Sequence, residues 1–426
     1  MRYTSDGPAV MLGESTSIFP AQLAAYWRSR GLDVALVTHR SDAAANLPDG
    51  TPVIRSVEYE TRVTRTLTRR VMSPVLSRIE KTAPLFKQRF SRITGANADS
   101  ELWLPYFADY VAQAWPTMRA ARSQRPRFVF GHEVTTYGLP TALCLGVPRI
   151  IFPWGGDVFT YAESSPIQFA LTKFSLRAVD LVVSSSTTAA QHIRERFGVP
   201  PERVRAVSWG VDRNMFKRAD EVRRGAICAK WKIDPRAMTI VNPRRFRPAW
   251  GAGVALEAFI QIASENPATH FILFGGTGTE ALTTQARTKV QELGLSSRFT
   301  ILEGDAPLEV CAELLSVSDV FVSLLGRGDL RSLSVLQATA SGAVPIVSDL
   351  REYREMERLG FAGLFVRPDN VQDVLGALRF CTSNGDNARA LAVRNGAYIA
   401  EHEDHVERMD EMLRLIDAVC ASYARP

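Results

Sequence analysis

A chain of 426 residues exceeds what one hydrophobic core ordinarily supports, so two domains of roughly 200 residues each are expected. Apolar residues make up 46% and charged residues 23%, which excludes disorder, and no apolar run approaches the roughly 18 residues that a membrane span needs. The net charge of +6 is concentrated between Arg55 and Arg92, where ten Lys or Arg stand against three Glu. That stretch suits a peripheral contact with anionic lipid, a phosphorylated acceptor, or simply a solvated helical face. It carries no zinc-finger spacing, aromatic RNA-binding motif or heptad-linked basic helix, so nucleic acid is not expected as a partner. The five cysteines (Cys144, Cys228, Cys311, Cys381 and Cys420) form no close metal or redox pair, and the N-terminus lacks a basic-then-apolar leader pattern. A reducing, cytoplasmic compartment is therefore expected, with any membrane contact through 55–92 peripheral and on the inner face.

In chain order, Ala9 to Leu12 is a short apolar strand running into Gly13, a helix follows from Phe19 to Arg30, and Val34 to Val37 is the next strand. Strand, small-residue loop, helix and strand make the βαβ unit of a parallel sheet. The segment from about Thr61 to Ala96 is an insertion, helical in parts. Buried strands are predicted at 127–130, 149–152 and 180–183, then a helix through Phe197 and a closing strand from Val204 to Ser208. The second series predicts strands at 238–241, 271–274, 299–302, 320–323 and 344–347, with helices at about 254–264, up to about Leu293, and from about Ser332. Apolar residues Val406, Met409, Met412, Leu413, Leu415 and Ile416 recur in an otherwise charged tail, predicting a helix from about Asp404 to Tyr423 that returns to the first domain. The expected division is 1–208, 209–403 and 404–426.

Three stretches of the second half suit an anionic ligand. Arg244, Arg245 and Arg247 follow a strand end, together with Trp250; three arginines so close need an anion or solvent to offset their repulsion. Gly275, Gly276 and Gly278 lie between a strand and a helix, either for close backbone approach to a ligand or as an ordinary tight turn. The loop from Gly326 to Arg331 enters a helix whose first-turn N–H groups would face a phosphate, with Asp329 suited to sugar hydroxyls and Gln337 to a ribose. In the first half, Trp154, Gly155, Gly156 and Asp157 combine an aromatic face, backbone freedom and a carboxylate, which suits a carbohydrate ring or plain loop packing. His132 and Glu133 end an earlier strand and find no third partner for a metal set.

The ordered motifs resemble the retaining GT-B glycosyltransferases of family 4. Trp209-Gly210-Val211-Asp212, with Phe216 beyond it, looks like that family's Gly-Val-Asp link into its C-terminal domain. Arg177 to Ser184, Phe197-Gly198-Val199-Pro200, Arg203-Val204, Gly275 to Gly278, Gly304, Ser318 to Phe321 and Ala340 to Pro345 follow in family order. There are departures. Arg245 keeps the family's arginine, but Trp250 stands in place of the lysine before Gly251; Asp329 and Gln337 take the positions of two glutamates; Trp154 replaces a frequent histidine, while Asp157 matches a common acid.

The resemblance implies an α/β chain of the GT-B type, with two Rossmann-like domains, an interdomain cleft and a C-terminal crossover helix. It implies retaining transfer of a sugar from a nucleotide-sugar donor to a hydroxyl of a glycan, lipid-linked or small-molecule acceptor, with no cofactor or metal required. Asp157, Arg245 and Asp329 are then the catalytic candidates. Arg244, Arg247, Trp250, Gly275, Gly276, Gly278, Gly304, Arg331 and Gln337 fall on the donor side. Gly13, His132, Glu133, Trp154, Gly155 and Gly156 fall on the sugar or acceptor side. The altered residues also suit a catalytically weak or inactive nucleotide-binding regulatory protein of the same fold. A polysaccharide phosphorylase is disfavoured for want of a lysine-centred pyridoxal-phosphate site.

Overall fold

The computed structural model describes residues 6–13, 18–38, 47–59, 103–326 and 332–424. The expected insertion at 61–96, all of the basic stretch beyond residue 59, and both Asp329 and Arg331 lie outside the described residues. By its internal contacts the chain divides into two compact units, Met1–Ser208 with Met409–Pro426, and Trp209–Arg408.

In the first unit seven strands pair in parallel: β1 (Ala9–Leu12), β2 (Val34–Thr38), β3 (Val53–Arg55), β4 (Phe128–His132), β5 (Arg149–Phe152), β6 (Leu181–Ser184) and β7 (Val204–Ala206). Their order is β3-β2-β1-β4-β5-β6-β7, with Ala9 in register with Val34 on one side and Phe128 on the other. All four residues of β1 are buried, as expected of a parallel strand covered on both faces. Trp27, from the helix Ile18–Ser29, fixes that covering. Its indole meets Phe128 and Phe130 edge to face, at 5.2 and 5.3 Å between centroids.

The second unit repeats the plan with β8 (Met238–Asn242), β9 (Thr269–Leu273), β10 (Phe299–Ile301), β11 (Val320–Ser323), β12 (Val344–Ser348) and β13 (Leu364–Val366). The order is β10-β9-β8-β11-β12-β13, again parallel throughout. Both sheets reverse their winding once, between β1 and β4 and between β8 and β11. In a doubly wound sheet that reversal opens a crevice at the carboxyl ends of the strands, where ligands bind.

The helix His405–Ala424 opens in the second unit and belongs to the first from Met409 onward. Met409, Met412, Ile416 and Cys420 form its buried stripe. Polar contacts flank the stripe within the first unit. Asp410 accepts from Tyr26 and Arg30, Arg127 meets Asp417 at 2.7 Å, and the Tyr423 hydroxyl donates to Asp180 at 2.9 Å. Within the second unit the link strand runs beside residues 403–405, and the Val211 N–H donates to the Glu403 carbonyl at 2.8 Å. Gly210 has φ +66°, and a Cβ there would lie 2.7 Å from His405 Cα, so the Gly-Val-Asp link needs its glycine. Among the described residues no helix is long and apolar enough to cross a membrane.

Candidate functional site

The arginine cluster sits where β8 ends, beside the reversal point of its sheet. Asn242 closes that strand, and its side-chain oxygen accepts from the Arg244 N–H at 3.1 Å, turning the chain at Asn242-Pro243. Arg244 then reaches across to the loop after the neighbouring β11, donating to Ser332 Oγ at 2.9 Å. Ser332 stands at the start of the helix Leu333–Ala340. Arg247 donates to the Thr277 carbonyl at 3.3 Å and so meets the glycine loop.

Trp250 neighbours two of these arginines in space. The Arg244 and Arg247 guanidinium carbons stand 4.7 and 5.4 Å from its ring centroid. Each such contact contributes about 0.5–1 kcal/mol at an exposed site. The aromatic ring therefore helps hold together two cations that would otherwise repel. Gly251, at φ +65°, ends the turn; a Cβ there would come 2.5 Å from Leu324 Cβ, so its absence lets the helix Ala252–Glu265 start close against the end of β11.

The glycine loop has its own steric logic. A Cβ on Gly275 would lie 2.6 Å from the Leu302 carbonyl oxygen, and one on Gly276 would lie 2.5 Å from Arg245 Cγ. Arg245 thus lays its stem across the Gly276 backbone, and its Nε stands 2.9 Å from Asp305 Oδ1. Asp305 also accepts from the Thr277 hydroxyl at 2.5 Å. Burial pushes the Asp305 carboxyl up, but Thr277 and Arg245 outweigh it and hold it below the usual carboxylate range. Gly278 and Gly304, at φ +79° and +62°, serve turns. Gln337 is buried in the helix Leu333–Ala340, while its expected partner Asp329 is outside the described residues.

In the first unit the structure gathers His132, Glu133 and the Trp154 loop at the ends of β4 and β5. Gly13, at the end of β1, packs beside them; a Cβ there would lie 3.4 Å from His132 Cβ. Trp154 donates its indole N–H to His132 Nδ1 and meets that ring edge-on, with centroids 5.1 Å apart. Burial pushes His132 down to about 3, so the imidazole is neutral and able to accept.

Asp157 is buried with both oxygens occupied. Oδ2 accepts from the backbone N–H of Val134 at 2.9 Å and of Trp154 at 3.0 Å, and Oδ1 from Gly155 at 2.7 Å. This carboxylate ties the loop after β5 to the helix after β4. Gly155, at φ +106°, and Gly156 let the chain wrap around it. Glu133 caps the helix Val134–Ala142 by accepting from Thr136 N–H at 2.8 Å, with φ at +92°. Burial first, and then the charge of Asp157, push its carboxyl up to about 7.

Sequence reasoning missed Asp305, Thr277, Ser332 and Asn242. The Asn242-Pro243 dipeptide carried a readable turn signal, and Thr277 lies within the glycine stretch 275–278 already read as a turn. Asp305, Thr277 and Ser332 lie 30 residues or more from the arginines they meet. Among the described residues no group of three or more His, Cys, Asp or Glu is placed to hold a metal ion.

Comparison with known proteins gives the family and the fold. Residues 17–210 match the model of the glycosyl transferase 4-like domain, and residues 224–397 match that of the glycosyl transferases group 1. The chain is similar to the D-inositol 3-phosphate glycosyltransferase of Rhodococcus erythropolis, 27% identical over 206 residues, 47% of this chain and 45% of that one. The protein of the same name from Nocardia farcinica is 24% identical over 225 residues, 52% and 49% of the two chains. The chain thus spans about half the length of the curated relatives it matches. Sucrose-phosphate synthase from Thermosynechococcus elongatus superposes with a TM-score of 0.72 at 16% identity, covering 98% of this chain and 100% of that one. The Anabaena protein HepE in complex with UDP-glucose does so with a TM-score of 0.71 at 13% identity, covering 97% and 100%. Likeness at such identities is one of fold: α/β, GT-B type, with two Rossmann-like domains. Two family models follow one another along most of a chain with that fold, and the chain belongs to the GT-B, family 4-like glycosyltransferases.

Proposed function

We propose that the protein transfers a sugar, with retention of anomeric configuration, from a nucleotide-sugar donor to an acceptor hydroxyl. The observation that carries this reading is the arginine cluster at the reversal point of the second sheet, laid over a glycine loop that a Cβ would fill. A nucleoside diphosphate leaving group gathers negative charge on its oxygens as the glycosidic bond breaks. Fixed guanidinium groups and backbone N–H groups stabilise that charge without reorganising, which is usually the largest single contribution such a site makes to the rate. Arg245 is assigned to the diphosphate with Arg247 beside it, and Asp329 and Gln337 to the donor sugar and ribose. The diphosphate itself takes the proton of the attacking hydroxyl, so no protein base and no metal or other cofactor is required.

The first unit is assigned to the acceptor. Trp154, held by His132, offers a ring face for a sugar or cyclitol, and Asp157 acts by fixing that loop. The Rhodococcus and Nocardia relatives are named for D-inositol 3-phosphate, which puts phosphorylated cyclitols beside glycans and lipid-linked sugars among acceptors to test. The proposed setting is cytoplasmic, with peripheral attachment to the membrane through 55–92.

A screen of UDP-, GDP-, ADP- and dTDP-sugars tests the reading, combining binding shifts with mass-detected hydrolysis and the anomeric configuration of any product. Binding and turnover of one donor class with retention is expected; inversion would remove the stereochemical part, and no binding at all would remove the donor site. Trp250 and Gln337 in place of charged family residues favour one second reading, a nucleotide-binding regulatory protein. Tight nucleotide binding with neither hydrolysis nor transfer would select it.

A further inference from the structure

Arg245, assigned above to the donor diphosphate, already holds a carboxylate. Its Nε is 2.9 Å from Asp305 Oδ1, and both side chains are nearly half exposed, at 48% and 47%. Among the contacts of the neighbouring arginines, Arg244 donates to the Ser332 hydroxyl and Arg247 to the Thr277 carbonyl. Asp305 is itself aimed by the Thr277 hydroxyl, so it stands on the same glycine loop across which the Arg245 stem is laid. A carboxylate and a phosphate are read by the same guanidinium fork, and both cannot hold one Nε–H at once. An exposed pair of this kind is weak enough to exchange, where a buried one would not be.

We propose that Asp305 is a placeholder for the donor diphosphate. It keeps the Arg245 guanidinium over the glycine loop between turnovers, gives way when the diphosphate arrives, and returns to the arginine as the nucleoside diphosphate departs. The exchange takes the attraction of the Arg245–Asp305 pair off the net affinity, so it weakens nucleotide binding and speeds product release. The inference rests on the assignment of Arg245 to the donor.

The test is calorimetric titration of UDP, GDP, ADP and dTDP into the folded full chain, comparing wild type with D305N, R245A, the double variant and E303Q. Glu303 is a neighbouring exposed acid paired with Arg287, so E303Q removes the same charge close by without touching Arg245. D305N is expected to tighten nucleotide binding about two- to fivefold, the worth of an exposed ion pair. It should also slow release of the nucleoside diphosphate in stopped flow by a similar factor. E303Q should leave affinity unchanged, and the gain from D305N should vanish in the R245A background. Weaker binding by D305N overturns the placeholder and makes Asp305 a residue that positions Arg245 for the ligand. A gain equally large in E303Q, or one surviving in R245A, overturns it in favour of general charge. Those outcomes leave the donor site standing, whereas failure of every nucleotide to bind either wild type or D305N overturns the donor assignment and the placeholder together.

Discussion

Charge at single residues decides what this site does. Arg245→Ala removes the guanidinium assigned to the diphosphate, and turnover is expected to fall by roughly a hundredfold or more, the 2–4 kcal/mol typical of losing one preorganised donor. Arg245→Lys should recover only part of this, because an ammonium presents no fork. Steady-state kinetics on the donor found by screening checks both; unchanged turnover in Arg245→Ala would mean that the diphosphate lies elsewhere. Trp250 gives the sharper contrast. By sequence it stands in for a lysine, so restoring the charge would be expected to improve donor binding. In the structure its ring neighbours two guanidinium groups. Trp250→Lys would exchange two cation–π contacts for two like-charge repulsions, so donor affinity is expected to drop despite the added cation, about tenfold for 1–2 kcal/mol. Tighter binding would show that the ring only fills space. The clustering itself was legible, because three arginines stand close together directly after a buried strand. Its partners were not, since Ser332 comes to the arginines from beyond the neighbouring β11 and Asp305 from beyond β10, two strands away in the sheet.

At the scale of elements, what could be read and what could not follow from burial. β1, β5 and β11 are short and flanked by turn residues, and all but one of their residues are buried; their apolar runs stand out in the sequence. β3 and β13 are three-residue edge strands, half-buried for the most part, and went unread, whereas the equally short edges β7 and β10 were read as parts of the longer runs 204–208 and 299–302. Asp157 was readable as an acid in a loop, but not as the acceptor of three backbone N–H groups, because Val134 comes to it from another strand's end. The same strand ends set a pH dependence. Glu133 titrates near 7, so between its ordinary range and that value the folded chain keeps a proton that the unfolded chain has released. Stability from this group is thus full at low pH and lost as pH rises through about 7, by at most about 3 kcal/mol. Glu133→Gln cannot lose that proton. Urea unfolding at pH 5 and pH 8 should show wild type losing stability relative to the variant, and parallel changes would refute the shifted carboxyl. His132, held near 3, has the opposite sign below its ordinary value and is common to both chains.

For the whole molecule, the C-terminal helix shows where each unit draws its stability. It opens beside the Gly210 link, but from Met409 its apolar stripe lies in the core of the first unit, so residues 409–424 are as much part of that unit as β1 is. The charged tail disguised this in the sequence only partly, because Met409, Met412 and Ile416 keep helical spacing among the charges. Two variants separate the contributions. Ile416 is fully buried, and Ile416→Ala should cost about 2–5 kcal/mol through lost burial and the cavity left behind. Asp410 is paired with Arg30 with both side chains about two-fifths exposed, so Asp410→Asn should cost under about 1 kcal/mol. Native-state hydrogen exchange locates the loss. With Ile416→Ala, protection should fall in β1, β4 and the helix Ile18–Ser29, whose Tyr26 and the adjoining Arg30 flank the tail, and stay unchanged in β8, β9 and β11. Loss of protection in the second sheet instead, or equal costs for the two variants, would mean that the helix does not draw its stability from the first unit's core.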